Sequence, residues 1–162
     1  MSTDALVVLK EDHAEVKRMF RAFEKADTPE ERGQLAEQMI AALQLHTEVE
    51  NTILYPAILK TLPDLKDEIL ESYEEHHAVD LIIEEIQKLE ASAENFEARV
   101  TVLIENVEHH IEEEEEEWFP KVRKALGRDE LLQEWGEQML SKMQEARAGL
   151  TLDLTEEINS PR

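Results

Sequence analysis

The chain has 162 residues, of which 41% are hydrophobic, enough for one domain with a buried core. Seventeen Lys and Arg stand against 39 Asp and Glu, a formal net charge of −22 that repels phosphate backbones and anionic membranes and attracts cations. Cysteine is absent, which excludes disulfides, thiolate metal sites and thiol nucleophiles. The N-terminal MSTDALVVLKED has neither a basic start nor a long apolar run, so no leader peptide is expected. No segment approaches the roughly 18 apolar residues of a membrane span. The expected location is the cytoplasm, with no nucleic-acid or membrane partner.

A first helix is expected over about 3–26, with the apolar stripe Leu6, Leu9, Val16, Phe20 and Phe23 and with His13 inside it. Thr28-Pro29-Glu30-Glu31 then reads as an N-cap, a proline at the first helical position and a capping-box glutamate. The second helix, about 30–61, carries Leu35, Met39, Ala42, Val49, Ile53 and Ala57 on one face, and His46 and Glu50 fall on that face. Leu62-Pro63-Asp64 stops it and caps a third helix, about 65–91. There His76 lies central among Ile69, Val79, Ile83 and Ile86, while His77 lies at the edge of the stripe beside Leu70 and Leu81. Ser92 reads as the N-cap of a fourth helix, about 94–126, whose stripe Phe96, Val100, Leu103, Val107 and Trp118 contains His110 and Glu114. Gly127 and Asp129 read as a C-terminal glycine and a new cap, giving a fifth helix over about 129–148. The segment 149–162 has weak periodicity and is expected to fray as a disordered tail.

No strand alternation or hairpin dipeptide occurs. The expected fold is all-α: an up-down antiparallel four-helix bundle with a short C-terminal fifth helix, residues 1–148 forming one domain. The bundle repeats internally. HTEVENTILYP at 46–56 aligns without a gap on HIEEEEEEWFP at 110–120, pairing His46 with His110, Glu50 with Glu114 and Tyr55-Pro56 with Phe119-Pro120. DHAEVKRMF at 12–20 lies on EHHAVDLII at 75–83, pairing His13 with His76 and Val16 with Val79. Two helix pairs related by a pseudo-twofold follow. A strict match to the later offset would align His13 with His77 instead of His76.

One histidine on an apolar face is ordinarily a hydrogen-bonded core residue. Here each of four helices has one, and two are followed at i+4 by an inward glutamate. That spacing puts both side chains on one face about a turn apart, within reach of one centre. Burying two carboxylates with no Lys or Arg on these stripes needs a cation in compensation. Within the glutamate run the repeat selects Glu114. Glu112, Glu113, Glu115, Glu116 and Glu117 are expected to be solvated or at the rim, and His109 at the surface. Four imidazoles and two carboxylates exceed a tetrahedral zinc site, and calcium or magnesium would favour oxygen throughout. Mixed imidazole and carboxylate donors in twofold arrangement suit two ions of iron or manganese. A ferritin-like diiron site needs two inward ExxH motifs, and only Glu74/His77 has that spacing.

His13, His46-x-x-x-Glu50 running into Leu54-Tyr55-Pro56, Glu75-His76, and His110-x-x-x-Glu114 running into Phe119-Pro120 together resemble the hemerythrin-like HHE cation-binding domain, over about residues 4–126. The resemblance implies two non-heme irons, oxo- or hydroxo-bridged, in a four-helix bundle. It implies His13, His46, His76 (or His77) and His110 as terminal ligands, with Glu50 and Glu114 bridging. The chain lacks the HxxxH helix and late HxxxxD of the oxygen carriers and is closer to the symmetric four-His, two-Glu branch. That branch includes iron sensors, nitric-oxide-responsive repair proteins, which carry a cysteine segment absent here, and peroxide-decomposing proteins. Two functions stay open: a diiron protein that binds or turns over O2, NO or peroxide, including catalase-like or NO-reducing chemistry, and an iron- or oxygen-sensing module without turnover. No protein partner is indicated. No acid or base beyond the ligands stands out, and Tyr73 and Trp118 are expected to tune or pack the pocket.

Overall fold

The computed structural model describes the backbone of residues 3–159 and side chains through Gly149. Helix α1 (Ala5–Glu24) starts on Asp4, whose carboxylate accepts from the Leu6 and Val7 amides and is gripped by Arg123 at 2.6 Å. Helix α2 (Pro29–Val49) starts as expected: Thr28 accepts from the Glu31 amide, and Glu31 reaches back to the amide of Asp27. It runs on through Glu50–Leu54 into α3 (Tyr55–Thr61). A 3-10 turn at Pro63–Leu65 leads into α4 (Lys66–Gln87). Helix α5 (Phe96–Glu113) runs through Glu114–Trp118 into α6 (Phe119–Leu126). Gly127, at φ 62°, ends that rod, and Asp129 caps α7 (Glu130–Asn159).

Three boundaries differ from expectation. Helix α4 ends at Gln87, not near 91. Ser92 is not a cap: residues 91–95 form turns, and α5 begins after Asn95. Helix α7 runs to Asn159 instead of ending near 148. The side chains of 150–159 and residues 160–162, where most of the expected tail falls, lie outside the described residues.

Helix α1 packs on α2, and α4 on α5, as the repeat requires. The apolar stripes meet in two clusters, divided by the polar layer of His13, His46, His76 and His110. On one side lie Phe20, Met39, Leu43, Ile83, Leu103 and their neighbours. On the other lie Leu6, Leu9, Tyr55, Ile58, Ile69 and Phe119. Helix α7 belongs to this second cluster through Leu132, Trp135, Met139 and Met143, all buried. Full burial of such a side chain contributes about 1.5–3 kcal/mol, so α7 is part of the core as much as an appendage. It comes so close to the N-terminus that a Cβ on Gly136 would collide with the Thr3 carbonyl.

Both long rods contain a π-turn, at Glu50–Leu54 and Glu114–Trp118, where continuous α-helix was expected. The Tyr55 amide donates to Glu50 O, and the Phe119 amide to Glu114 O, five residues back. The next residue in each case is a proline, Pro56 or Pro120, which has no amide hydrogen to continue the ladder. The backbone carbonyl freed at Asn51 accepts from the Tyr73 hydroxyl at 3.2 Å. Such π-turns concentrate at functional sites.

Candidate metal centre

The structure brings His13, His46, Glu50, His76, His110 and Glu114 together in the bundle interior. None is more than 5% exposed, and both glutamates are fully buried. His77 points to solvent, and His109 lies outside, paired with Glu113 at 3.0 Å. His76 is therefore the histidine of α4 that faces the cluster. The six residues form two donor groups, His13, His46, Glu50, Glu114 and His76, His110, Glu50, Glu114, which share both glutamates. Within each group the donor atoms lie within 4.8 Å of one another.

The contacts are close but poorly aligned for hydrogen bonding. His46 Nε2 is 2.5 Å from Glu50 Oε1, and His13 Nε2 is 3.1 Å from Glu114 Oε2. Yet His13 Nε2, His46 Nε2, both oxygens of Glu50 and Oε2 of Glu114 have no hydrogen-bond partner. Distance makes these pairs; angle denies them a shared proton. Imidazole nitrogens and carboxylate oxygens crowded around a common point without aligned hydrogen bonds are what a cation's ligands present, and orphaned buried donors and acceptors are otherwise costly. The residues present fit a metal. Among the described residues, the ion pairs recorded for Glu50 and Glu114 are all to imidazoles.

Two imidazoles have a hydrogen-bonded outer partner at Nδ1, and the other two have only a carboxylate nearby. Asp12 Oδ2 lies 2.6 Å from His46, Asn51 Oδ1 2.7 Å from His76, Glu75 Oε2 3.3 Å from His110 and Glu115 Oε1 3.6 Å from His13. Asp12 and Asn51 fix their rings so that Nε2 faces inward, whereas Nδ1 of His13 and of His110 has no hydrogen-bond partner among the described residues. Sequence reasoning missed three of these four residues and left Glu115 among the rim glutamates. The signal was in the repeat: Asp12-His13 lies on Glu75-His76, and Glu50-Asn51 on Glu114-Glu115.

Tyr55 was also missed. It is fully buried and donates to Glu114 Oε1 at 2.5 Å, with its oxygen 3.3 Å from His76 Nε2 and 3.4 Å from His110 Nε2. Its ring stacks on His76, as its repeat mate Phe119 stacks on His13. Tyr73 and Trp118 pack edge-on against Tyr55.

Protonation of the metal-free cluster is strongly perturbed. Burial acts to lower the pKa of His46, but the charges of Glu50 and Asp12 prevail and push it up to about 10. His110 also rises well above the ordinary range, Glu114 outweighing burial. Burial and the proximity of Glu114 raise Glu50 to about 8. Burial raises Glu114 less than His110 and its hydrogen bonds lower it, so it stays well below the usual carboxylate range. Burial and the His110 charge lower His76 to about 3. Burial beside Glu114 raises Tyr55, so it remains a neutral phenol.

A cavity of about 10 Å³, room for roughly one water-sized molecule, adjoins the four rings. Its apolar walls come in repeat pairs: Val16 with Val79 and Leu43 with Val107.

Residues 4–122 match the family model of the hemerythrin HHE cation-binding domain. The chain belongs to this family. The buried imidazole and carboxylate donors and the hemerythrin match together make it a metal-binding domain. It is similar to a "DNA nickase" of Nostoc sp. (strain PCC 7120), 26% identical over 145 residues, 88% of this chain and 40% of that one. It is also similar to an uncharacterized hemerythrin-like protein of Schizosaccharomyces pombe, 26% identical over 75% of this chain and 60% of that one. The chain thus spans about half the length of these curated relatives. A solved hemerythrin HHE cation-binding domain-containing protein from Mycobacterium kansasii superposes with a TM-score of 0.76. The two are 26% identical, with 98% of this chain and 94% of that one covered. Among the described residues, no helix of this hemerythrin domain is long and apolar enough to cross a membrane.

Proposed function

We propose that this hemerythrin domain holds two irons and binds or reacts with a small ligand, O2, NO or peroxide. His13 and His46 would hold one ion, His76 and His110 the other, with Glu50 and Glu114 bridging. The carrying observation is the pair of buried donor groups that share both carboxylates. Two irons held there would supply two-electron redox chemistry. The chain's own residues do the rest. Asp12 and Asn51 orient the imidazoles of His46 and His76, and Tyr55 holds a proton at its hydroxyl against Glu114 Oε1. The small, largely apolar cavity excludes larger substrates, which supports a ligand of two to four atoms.

Iron-loaded protein should carry two irons per chain and absorb in the near ultraviolet through oxygen-to-iron charge transfer. A stoichiometry of one, or zinc that iron cannot displace, sinks the two-ion reading. Sensing without turnover is the second reading. It is favoured by α7, whose Lys142 donates to Thr52 in the first π-turn and whose Arg147 lies 3.9 Å from Asp12, so metal occupancy has a physical route to that helix. Steady-state peroxide consumption, with His110→Ala as the control, separates the two. The net charge of −22 opposes a phosphodiester backbone, so the reading does not extend to the DNA in the Nostoc relative's name.

A further inference from the structure

The repeat makes the two halves of the centre nearly equivalent, and the residues behind the imidazoles are where they part. Asp12 behind His46 and Glu75 behind His110 are repeat mates, and both are carboxylates. Glu115 behind His13 and Asn51 behind His76 are also repeat mates, but one is a carboxylate and the other an amide. Among the described residues, the only outer hydrogen bond in the His13/His46 half is thus to a carboxylate, Asp12, and the only one in the His76/His110 half is to an amide, Asn51; Glu115 and Glu75 stand near their rings without one. Glu50 and Glu114 are shared and cannot create a difference. The Tyr55 phenol, protonated beside Glu114, adds no charge to its half.

Asn51 is placed to act on His76 and is not a chance neighbour. It is the second residue of the first π-turn. Tyr73 holds its carbonyl at 3.2 Å, and its side-chain oxygen stands 2.7 Å from His76 Nδ1. With Nε2 turned inward as a lone pair, Nδ1 carries the proton and donates it to Oδ1. A carboxylate in that place draws the proton toward itself and makes the ring a stronger donor to a cation; an uncharged amide does so far less.

We infer that Asn51 is a positioning residue that makes the two metal positions unequal, so that the ion held by His76 and His110 is the more weakly bound and leaves first. The inference rests on the two-iron reading above. Changes in such outer partners typically alter metal affinity about 10–100-fold, which sets the expected gap between the positions.

The test is a competitive chelator titration of the full chain loaded with iron, counting iron retained and recording Mössbauer spectra at each stage. Unaltered protein should release iron in two steps, their midpoints separated by about 10–100-fold in free chelator. Asn51→Asp keeps the shape and adds the missing charge. It should move the easier step toward the harder one and shift the quadrupole doublet that disappears first. Asp12→Asn removes the hydrogen-bonded carboxylate from the other half and should move the harder step toward the easier one. A residue that only braces the fold can loosen iron when changed, but its replacement does not tighten one position alone. If Asn51→Asp does not fold, Asp12→Asn decides by itself. One release step in unaltered protein, or two steps that neither variant moves, overturns the inference and leaves the two-iron reading standing. Fewer than two irons per chain before chelator is added overturns that reading instead.

Discussion

Glu114 is one of six consecutive glutamates, and direction sets it apart from the rest. Neighbours on a helix point about 100° apart, so only one of any three can face the bundle axis. Glu114 is fully buried; Glu113 pairs with His109 on the outside, and Glu115 stands at the rim 3.6 Å from His13. Glu114→Gln should therefore remove most bound iron, Glu115→Gln a smaller part and Glu113→Gln almost none, as read by metal analysis. His76→Ala should lose iron where His77→Ala and His109→Ala keep it. Equal losses from His76→Ala and His77→Ala would contradict the placement of His76. Without metal, the two inward glutamates part company. Glu50, raised to about 8 by burial and by Glu114, carries the cost of the like-charged pair, so Glu50→Gln should stabilise the metal-free fold above that pH. Glu114, kept ionised by His110, His13 and Tyr55, should destabilise it on the same change in a denaturant melt. The six inward residues were legible because helical period and internal repeat each selected them. Tyr55 was not: a tyrosine aligned with Phe119 reads as packing, and its hydroxyl finds Glu114 only in three dimensions. Asn51 and Glu75 sit at stripe edges, where period alone does not tell a residue beside an imidazole from a solvated one.

At the scale of the element, the long rods were legible and their π-turns were not. An extra residue in one turn leaves hydrophobic spacing almost unchanged over a rod of this length. The available signal was the proline six residues after each inward glutamate, Pro56 after Glu50 and Pro120 after Glu114. Deleting Thr52, which is exposed, should close the first π-turn into α-helix with Tyr55 left in nearly the same direction, since its amide then bonds the Glu50 carbonyl from four residues on; helix content by circular dichroism and iron content should both be retained. Loss of iron from the deletion variant would show that the extra residue itself sets the site. Helix α7 offers a second measurement. As a peripheral addition it would tolerate truncation of one side chain within about 0.5 kcal/mol. Met139 is fully buried in the cluster shared with Tyr55 and Phe119, so Met139→Ala should cost about 2–5 kcal/mol in chemical denaturation. Gly136→Ala should also destabilise, because its new methyl meets the Thr3 backbone, which cannot yield as a flexible side chain would.

For the molecule as a whole, metal and protons compete for one set of atoms, and the competition fixes how stability follows pH. His46 is raised to about 10, so its contribution is complete below the unfolded value of 6.5 and lost as pH climbs through 10. Glu50 is raised from 4.5 to about 8, so its folded-state proton favours the fold below 4.5, and that support is lost as pH climbs through 8. His76 is lowered to about 3: the unfolded chain takes up a proton that the fold refuses, so stability is lost as pH falls from 6.5 toward 3. Glu114, also lowered, adds to the acid loss below 4.5. Between 4.5 and 6.5 the Glu50 and His76 contributions oppose each other. The metal-free protein should hold a plateau there and weaken steadily from pH 6.5 toward 10, by up to about 1.4 kcal/mol per unit for each proton involved. Bound metal replaces those protons on His46, His110 and Glu50. The loaded protein should therefore lose the alkaline decline, and apparent metal affinity should rise over the same interval. The surrounding charge of −22 strengthens attraction for the cation without giving it a position; the buried donors supply that. Denaturant melts of chelator-treated and iron-loaded protein, run in parallel from pH 5 to 9 at fixed ionic strength, make the comparison. A metal-free protein as stable at pH 9 as at pH 6 would mean that the cluster does not hold its protons in the fold. A loaded protein that declines in parallel with the metal-free one would mean that the metal binds somewhere other than His46, Glu50 and His110.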